Sequence, residues 1–152
     1  MDSPQLGGVL DPSRNLSMTG AVESSKSIKS IGAATVGGIG YGTGAGSSVT
    51  QATNRSTAVT INAPCGLITT NNASLAAEAS AAFTVNNSAV ELGDVVVVAQ
   101  RSGSDGGNTA VNVTTVAAGS FAIRVSNNNA AAGTAETGPI LINFAVIKAV
   151  SV

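Results

Sequence analysis

The chain has 152 residues, of which 43% are hydrophobic and only 10% charged, and its seven basic and eight acidic residues leave a formal net charge of −1. That length fits one hydrophobic core, and the near-neutral balance without a Lys/Arg cluster excludes a surface that neutralises a run of phosphates, so no nucleic-acid partner is expected. No stretch reaches the roughly 18 apolar residues of a spanning helix and the N-terminus lacks the basic and apolar regions of a standard export signal, so no membrane partner is expected either.

Residues 1–46 read as an extended N-terminal arm ending in a Gly-rich hinge. Isolated aliphatics (Leu6, Val9, Leu10, Leu16, Met18, Val22, Ile28, Ile31 and Val36) are separated by Gly, Ser, Asp and Pro. Such a segment buries too little surface to offset its ordering entropy alone, and its recurring large side chains read as the anchors of a peptide that orders on a partner; the alternative is a disordered tail without a role. From Gly38 to Gly46 glycine takes every second position, with Ile39, Tyr41, Thr43 and Ala45 between. If extended, this stretch has one face without side chains and another carrying Ile39 and Tyr41; the alternative is a flexible hinge. The spacing matches neither glycine-rich phosphate-binding motif.

Residues 47–152 read as an all-β body, a jelly-roll-like antiparallel β-sandwich. Strands are expected near 47–53, 57–62, 66–70, 80–86, 94–101, 110–116, 120–127 and 139–150, separated by turn chemistry such as Ala63-Pro64, Asn71-Asn72, Asn86-Asn87, Ser102 to Asn108, Ala118-Gly119 and Asn127 to Asn129. Period-two sets mark the inward faces: Val59 with Ile61, Phe83 with Val85, Val111 with Val113, Phe121 with Ile123 and Val125, and Ile140 with Ile142, Phe144 and Val146. Residues 73–80 have room for no more than a short helical turn.

The 95–98 run and the last strand are apolar on both sides, which predicts cover on both sides. Val96, Val98, Leu141, Phe144, Val146 and Ile147 are therefore the candidate residues of core and subunit contact. A core built mainly of Ala and Val, with three Phe, one Tyr and no Trp, buries little area per residue, and a homo-oligomer is the natural remedy.

Catalysis finds little support. His is absent. The carboxylate pairs Glu91 with Asp94, and Asp105 with Glu136, sit among turn residues and read as solvated loop groups rather than as an acid/base pair. The Asp105-Gly106-Gly107-Asn108 loop offers one carboxylate, too few for a convincing Ca²⁺ site, and zinc has no ligand set. Cys65, the sole cysteine, forms no intramolecular disulfide, reads as a buried small hydrophobe and suits assembly in a reducing host cytoplasm. No cofactor and no enzymatic activity are expected.

The body resembles a C-terminal module of structural proteins of tailed bacteriophages, among them capsid cement (decoration) proteins and head fibres. The likeness lies in Gly42 to Gly46, Val49 to Thr53, Ser56-Thr57, Gly66 with Ile68-Thr69, Phe83 to Val85 with Asn87-Ser88, Asp94 to Val98, and Asn143 to Lys148. It implies a trimeric β-sandwich on the virion, at the capsid exterior, with the major capsid protein as partner. Residues 1–41 show neither repeats nor heptads, so a fibre shaft is not indicated and a cement protein held by its arm is the favoured expectation. The alternative is a head- or tail-fibre module for host-surface glycan adhesion, using the loops at Ser102 to Asn108 and Asn127 to Thr137.

Overall fold

The computed structural model describes residues 40–103 and 108–149, all within one unit spanning Gly40–Val152. Eight strands run in chain order: β1 Gly46–Thr50, β2 Val59–Thr60, β3 Cys65–Thr69, β4 Ser80–Asn86, β5 Val95–Ser102, β6 Thr109–Ala117, β7 Ser120–Asn127 and β8 Leu141–Ile147. Each overlaps an expected segment, and no described residue is helical. The first sheet has the order β1-β3-β8-β5 and the second β2-β4-β7-β6.

Both sheets are mixed, which corrects the expectation of a purely antiparallel body. β1 lies parallel to β3, and β2 parallel to β4; the other four pairings are antiparallel. The cause is the path of the chain. Its first four strands alternate between sheets, so β2 serves as the crossover joining β1 to β3, and β3 as that joining β2 to β4; parallel neighbours require such a crossover.

The two sheets share one core, in a sandwich-like arrangement. Val59, Phe83, Val85, Phe121, Ile123 and Val125 from the second sheet meet Ile68, Val96, Ile142, Phe144 and Val146 from the first, with Ile61, Val90 and Ile140 filling the ends. The Phe121 and Phe144 rings lie 5.5 Å apart at 47°, an edge-tilted geometry that aromatic pairs favour. Val111, Val113 and Val116 of β6 pack against the core from the side. A register shift between Val113 and Thr115 inserts one extra residue there, turning Val116 back inward after Val113.

Several boundaries move for local reasons. β1 stops at Thr50 because Gln51 turns inward: its Nε2 donates to the carbonyls of Arg55 and Thr57, and its Oε1 accepts from the Asn71 amide. The expected extended glycine stretch is not a strand in its described part. Ala45 N–H donates to the Gly42 carbonyl and Gly44 adopts φ 90°, a turn that only its final residue, Gly46, leaves as strand. Over residues 73–80 Leu75 forms a lone antiparallel bridge with Glu136 instead of a helical turn.

Gly66 is where the edge strand approaches most closely. A Cβ at this position would press on the Ser47 carbonyl oxygen, with Ile61 Cδ1 and Phe144 Cε1 each 3.0 Å away. Alanine normally favours a strand over glycine, but here the obstacle is backbone that cannot yield. Gly66→Ala is expected to destabilise the body by about 1–3 kcal/mol and to loosen β1 first. Thermal unfolding and amide exchange across Gly46–Thr50 measure both; an unchanged melting temperature would contradict the close approach.

Candidate binding surface

The two outer faces differ in chemistry. Outward positions of the second sheet are polar or small: Thr84 and Asn86 on β4, Asn112 and Thr114 on β6, Arg124 and Ser126 on β7. Those of the first sheet include an aliphatic group on β5 and β8, next to polar Ser48 and Asn143 and with exposed Arg101 at the far end of β5. Val95 is 52% exposed, Val97 48% and Ile147 55%, and Leu92, in the turn before β5, is exposed as well. The register places Val95 beside Ile147, then Val97 beside Ala145, Cys65 and Gly46 in one row across the sheet, then Ala99 beside Asn143, Leu67 and Ser48 in the next.

Two strips result. The β5–β8 side is a ridge of branched side chains. The β1–β3 side, where Gly46 and Ser48 stand opposite Cys65 and Leu67, is a shallow, nearly flat hollow that Asn143 also lines. Cys65 is half-buried in this face rather than buried in the core, because it pairs with Ala145 at an outward position.

The candidate residues divide accordingly. Val96, Phe144 and Val146 are core residues, and Val98 packs against the core. Leu141 is half-buried and Ile147 exposed, both at outward positions of β8. Val95 and Val97 were missed in favour of Val96 and Val98: a four-valine run has no polarity contrast to reveal which parity faces out. The structure settles the parity: Val96 stands beside the core residue Val146. Among the arm candidates, Leu6, Val9, Leu10, Leu16, Met18, Val22, Ile28, Ile31 and Ile39 lie outside the described residues, as do Asp105, Gly106 and Gly107 of the loop weighed for Ca²⁺.

Tyr41 is described, and its role is specific. Val146 N–H donates to the Pro64 carbonyl at 2.7 Å, so Pro64 continues the β3–β8 register by one residue. Proline has no N–H to return the bond, which leaves the Val146 carbonyl without its ladder donor. The Tyr41 hydroxyl donates to that carbonyl instead. The segment before β1 is thereby latched to the end of the first sheet.

Two carboxylates expected at the solvated surface are buried. Glu136 is fully excluded from water and Asp94 nearly so. Asp94 Oδ2 accepts from Lys148 Nζ at 2.7 Å and from the Glu91 amide at 2.8 Å, and its Oδ1 from the Ala149 amide; Lys148 also reaches Glu91 Oε2 at 3.0 Å. These groups hold the turn before β5 to the end of β8, beside the ridge. The Lys148 hydrogen bond and the Glu91 amide hold the Asp94 carboxyl below its ordinary value, and bonds to Asp94 and Glu91 hold Lys148 above its own. No cluster of three metal-ligating side chains occurs among the described residues. Comparison with family models, curated proteins and solved structures finds no match.

Two measurements check these anchors. Tyr41→Phe is expected to cost about 1 kcal/mol, and to cost much less in a Pro64→Ala background where the restored amide can serve Val146; equal costs in a double-mutant cycle would refute the substitution of hydroxyl for amide. The stability that Asp94 contributes is full above 3.8, its ordinary value, and is lost as pH falls through the lowered native one; that of Lys148 is full below 10.5 and is lost as pH rises through the raised native one. Melting temperatures across the acid range should fall less steeply in Asp94→Asn than in the parent chain.

Proposed function

We propose that this chain is a structural virion protein of a tailed bacteriophage, a capsid cement (decoration) protein that binds the outside of the head. In this reading the body is a homo-oligomer, three copies by the resemblance, and the part of the 1–46 segment ahead of the Tyr41 latch is an arm that clamps neighbouring major capsid subunits. The jelly-roll-like reading of the body is supported by a chain that passes between two four-stranded sheets, and the two parallel pairings depart from a fully antiparallel jelly roll.

The observation that carries the proposal is the concentration of exposed aliphatic side chains on one face of the first sheet, while the second sheet presents polar ones. Contiguous apolar surface on a small protein marks a place where another protein binds. The arm supplies the second contact. Extended, about 40 residues reach roughly 130 Å, enough to cross a subunit boundary and bind as a peptide through aliphatic anchors and main-chain hydrogen bonds. With several arms on one body, release requires all to detach, so modest single-arm affinities combine.

Deleting residues 1–36 and measuring copies bound per purified head tests the proposal. Loss of binding by a folded, still oligomeric body is the expected result, and full occupancy by the truncated chain would overturn the clamping role. Copy number on the intact particle separates the two virion readings: hundreds spread over the head fit cement, and a few at a vertex or tail assign the chain to adhesion.

A further inference from the structure

We infer that the outer face of the first sheet is a contact between copies of this chain, with the Val95, Val97 and Ile147 ridge of one copy seated in the Gly46, Ser48 and Leu67 hollow of the next. This deepens the self-association within the proposed function and does not depend on the capsid.

Three observations identify a second copy as the occupant. The ridge and the hollow lie side by side on one face and are complementary in relief. Side chains project where β5 and β8 carry Val and Ile, and they are missing where β1 carries Gly and Ser. Only a surface with the inverse relief fills both strips, and the same face, turned or shifted by one strip, provides it.

The second observation is charge. The outward residues Val95, Val97, Ala145, Ile147, Cys65 and Leu67 carry no charge, and the charges of this sheet stand at its ends: Lys148 with Glu91 and Asp94, which satisfy one another, and exposed Arg101 at the register shift of β5. A charged partner surface would lose its hydration against this face without gaining a counter-charge. A neutral one, such as the face itself, avoids that charge penalty.

The third is area. Four strands about 4.8 Å apart and about seven residues long at ~3.3 Å per residue give a face of roughly 400 Å². That is half of the ~800 Å² which one partner of a standard interface buries. One pairwise contact through half of such a face is weak, and a closed arrangement, in which every ridge and every hollow is filled, makes full use of it.

The test uses the full chain. Its mass by light scattering is expected to be a multiple of 14.7 kDa, falling to a single copy in Val97→Glu, whose circular dichroism stays that of the parent because Val97 points away from the core. Cys65 provides an independent readout. It lies in the same row as Val97, so alkylation by a maleimide should be at least tenfold slower in the assembled parent than in Val97→Glu.

A parent chain that is a single copy at tens of micromolar overturns the inference, and so does a Val97→Glu chain that remains assembled with Cys65 still protected. A single-copy parent with Cys65 protected overturns it too, and assigns the cover to another part of the same chain. A Val97→Glu monomer that still decorates heads supports the interface and leaves the arm to account for capsid binding, so failure of one reading is separable from failure of the other.

Discussion

Arg55 is almost wholly removed from water, and its guanidinium directs Nε to the Ala73 carbonyl, one terminal nitrogen to Thr70 Oγ1 and the other to the carbonyls of Glu136 and Gly138. Those partners come from two connections, β3–β4 and β7–β8, so one side chain of the β1–β2 connection fixes the end of the body where β1, β3 and β8 enter or leave. Burying a guanidinium is costly unless its donors are all met. Here they are met by main-chain oxygens that would otherwise have been stranded when the loops closed over Ile140 and Leu75. Thr70 completes the link, accepting from the Ile140 amide as well as from Arg55.

The same device recurs at lower charge. Asn127 donates to the carbonyls of Leu75 and Thr134, Asn87 donates to that of Ala63 and accepts from the Ala89 amide, and Gln51 spans Arg55, Thr57 and Asn71. No buried side-chain nitrogen or oxygen among the described residues lacks a partner. A body without helices and with few large aromatics has long irregular connections and little core to press them down. Fully satisfied polar pins hold such loops in one arrangement, because any alternative packing would leave an amide or carbonyl unpaired.

The period-two alternation was enough to locate every strand and most of the core, since a strand with one dry face must alternate. Three features were not legible, each for a physical reason. Parallel pairing depends on which sheet a short strand joins, and two-residue β2 carries too little pattern to say. The outward parity of the 95–98 run is hidden because all four residues are valine. The burial of Arg55, Asp94 and Glu136 runs against composition rules for charged residues, and was visible only once the loops that bring their partners had been placed.

The four sheet edges bear on what the first sheet does next. β2 is two residues long, and β5 and β6 each carry a register shift, devices that discourage pairing with a further strand. β1 has none of them: it is five residues, uncharged, without proline, and terminal in its sheet. Its glycine and serines also form the floor of the hollow. A protein selected to remain single would be expected to interrupt this strand as it interrupts the other three, for instance by a lysine at Ser48. The unguarded edge, the shallow strip beside it and the aliphatic ridge all belong to one sheet, while the protected edges and polar outer positions belong mostly to the other. That asymmetry is accounted for if the first sheet is turned toward neighbours and the second toward water.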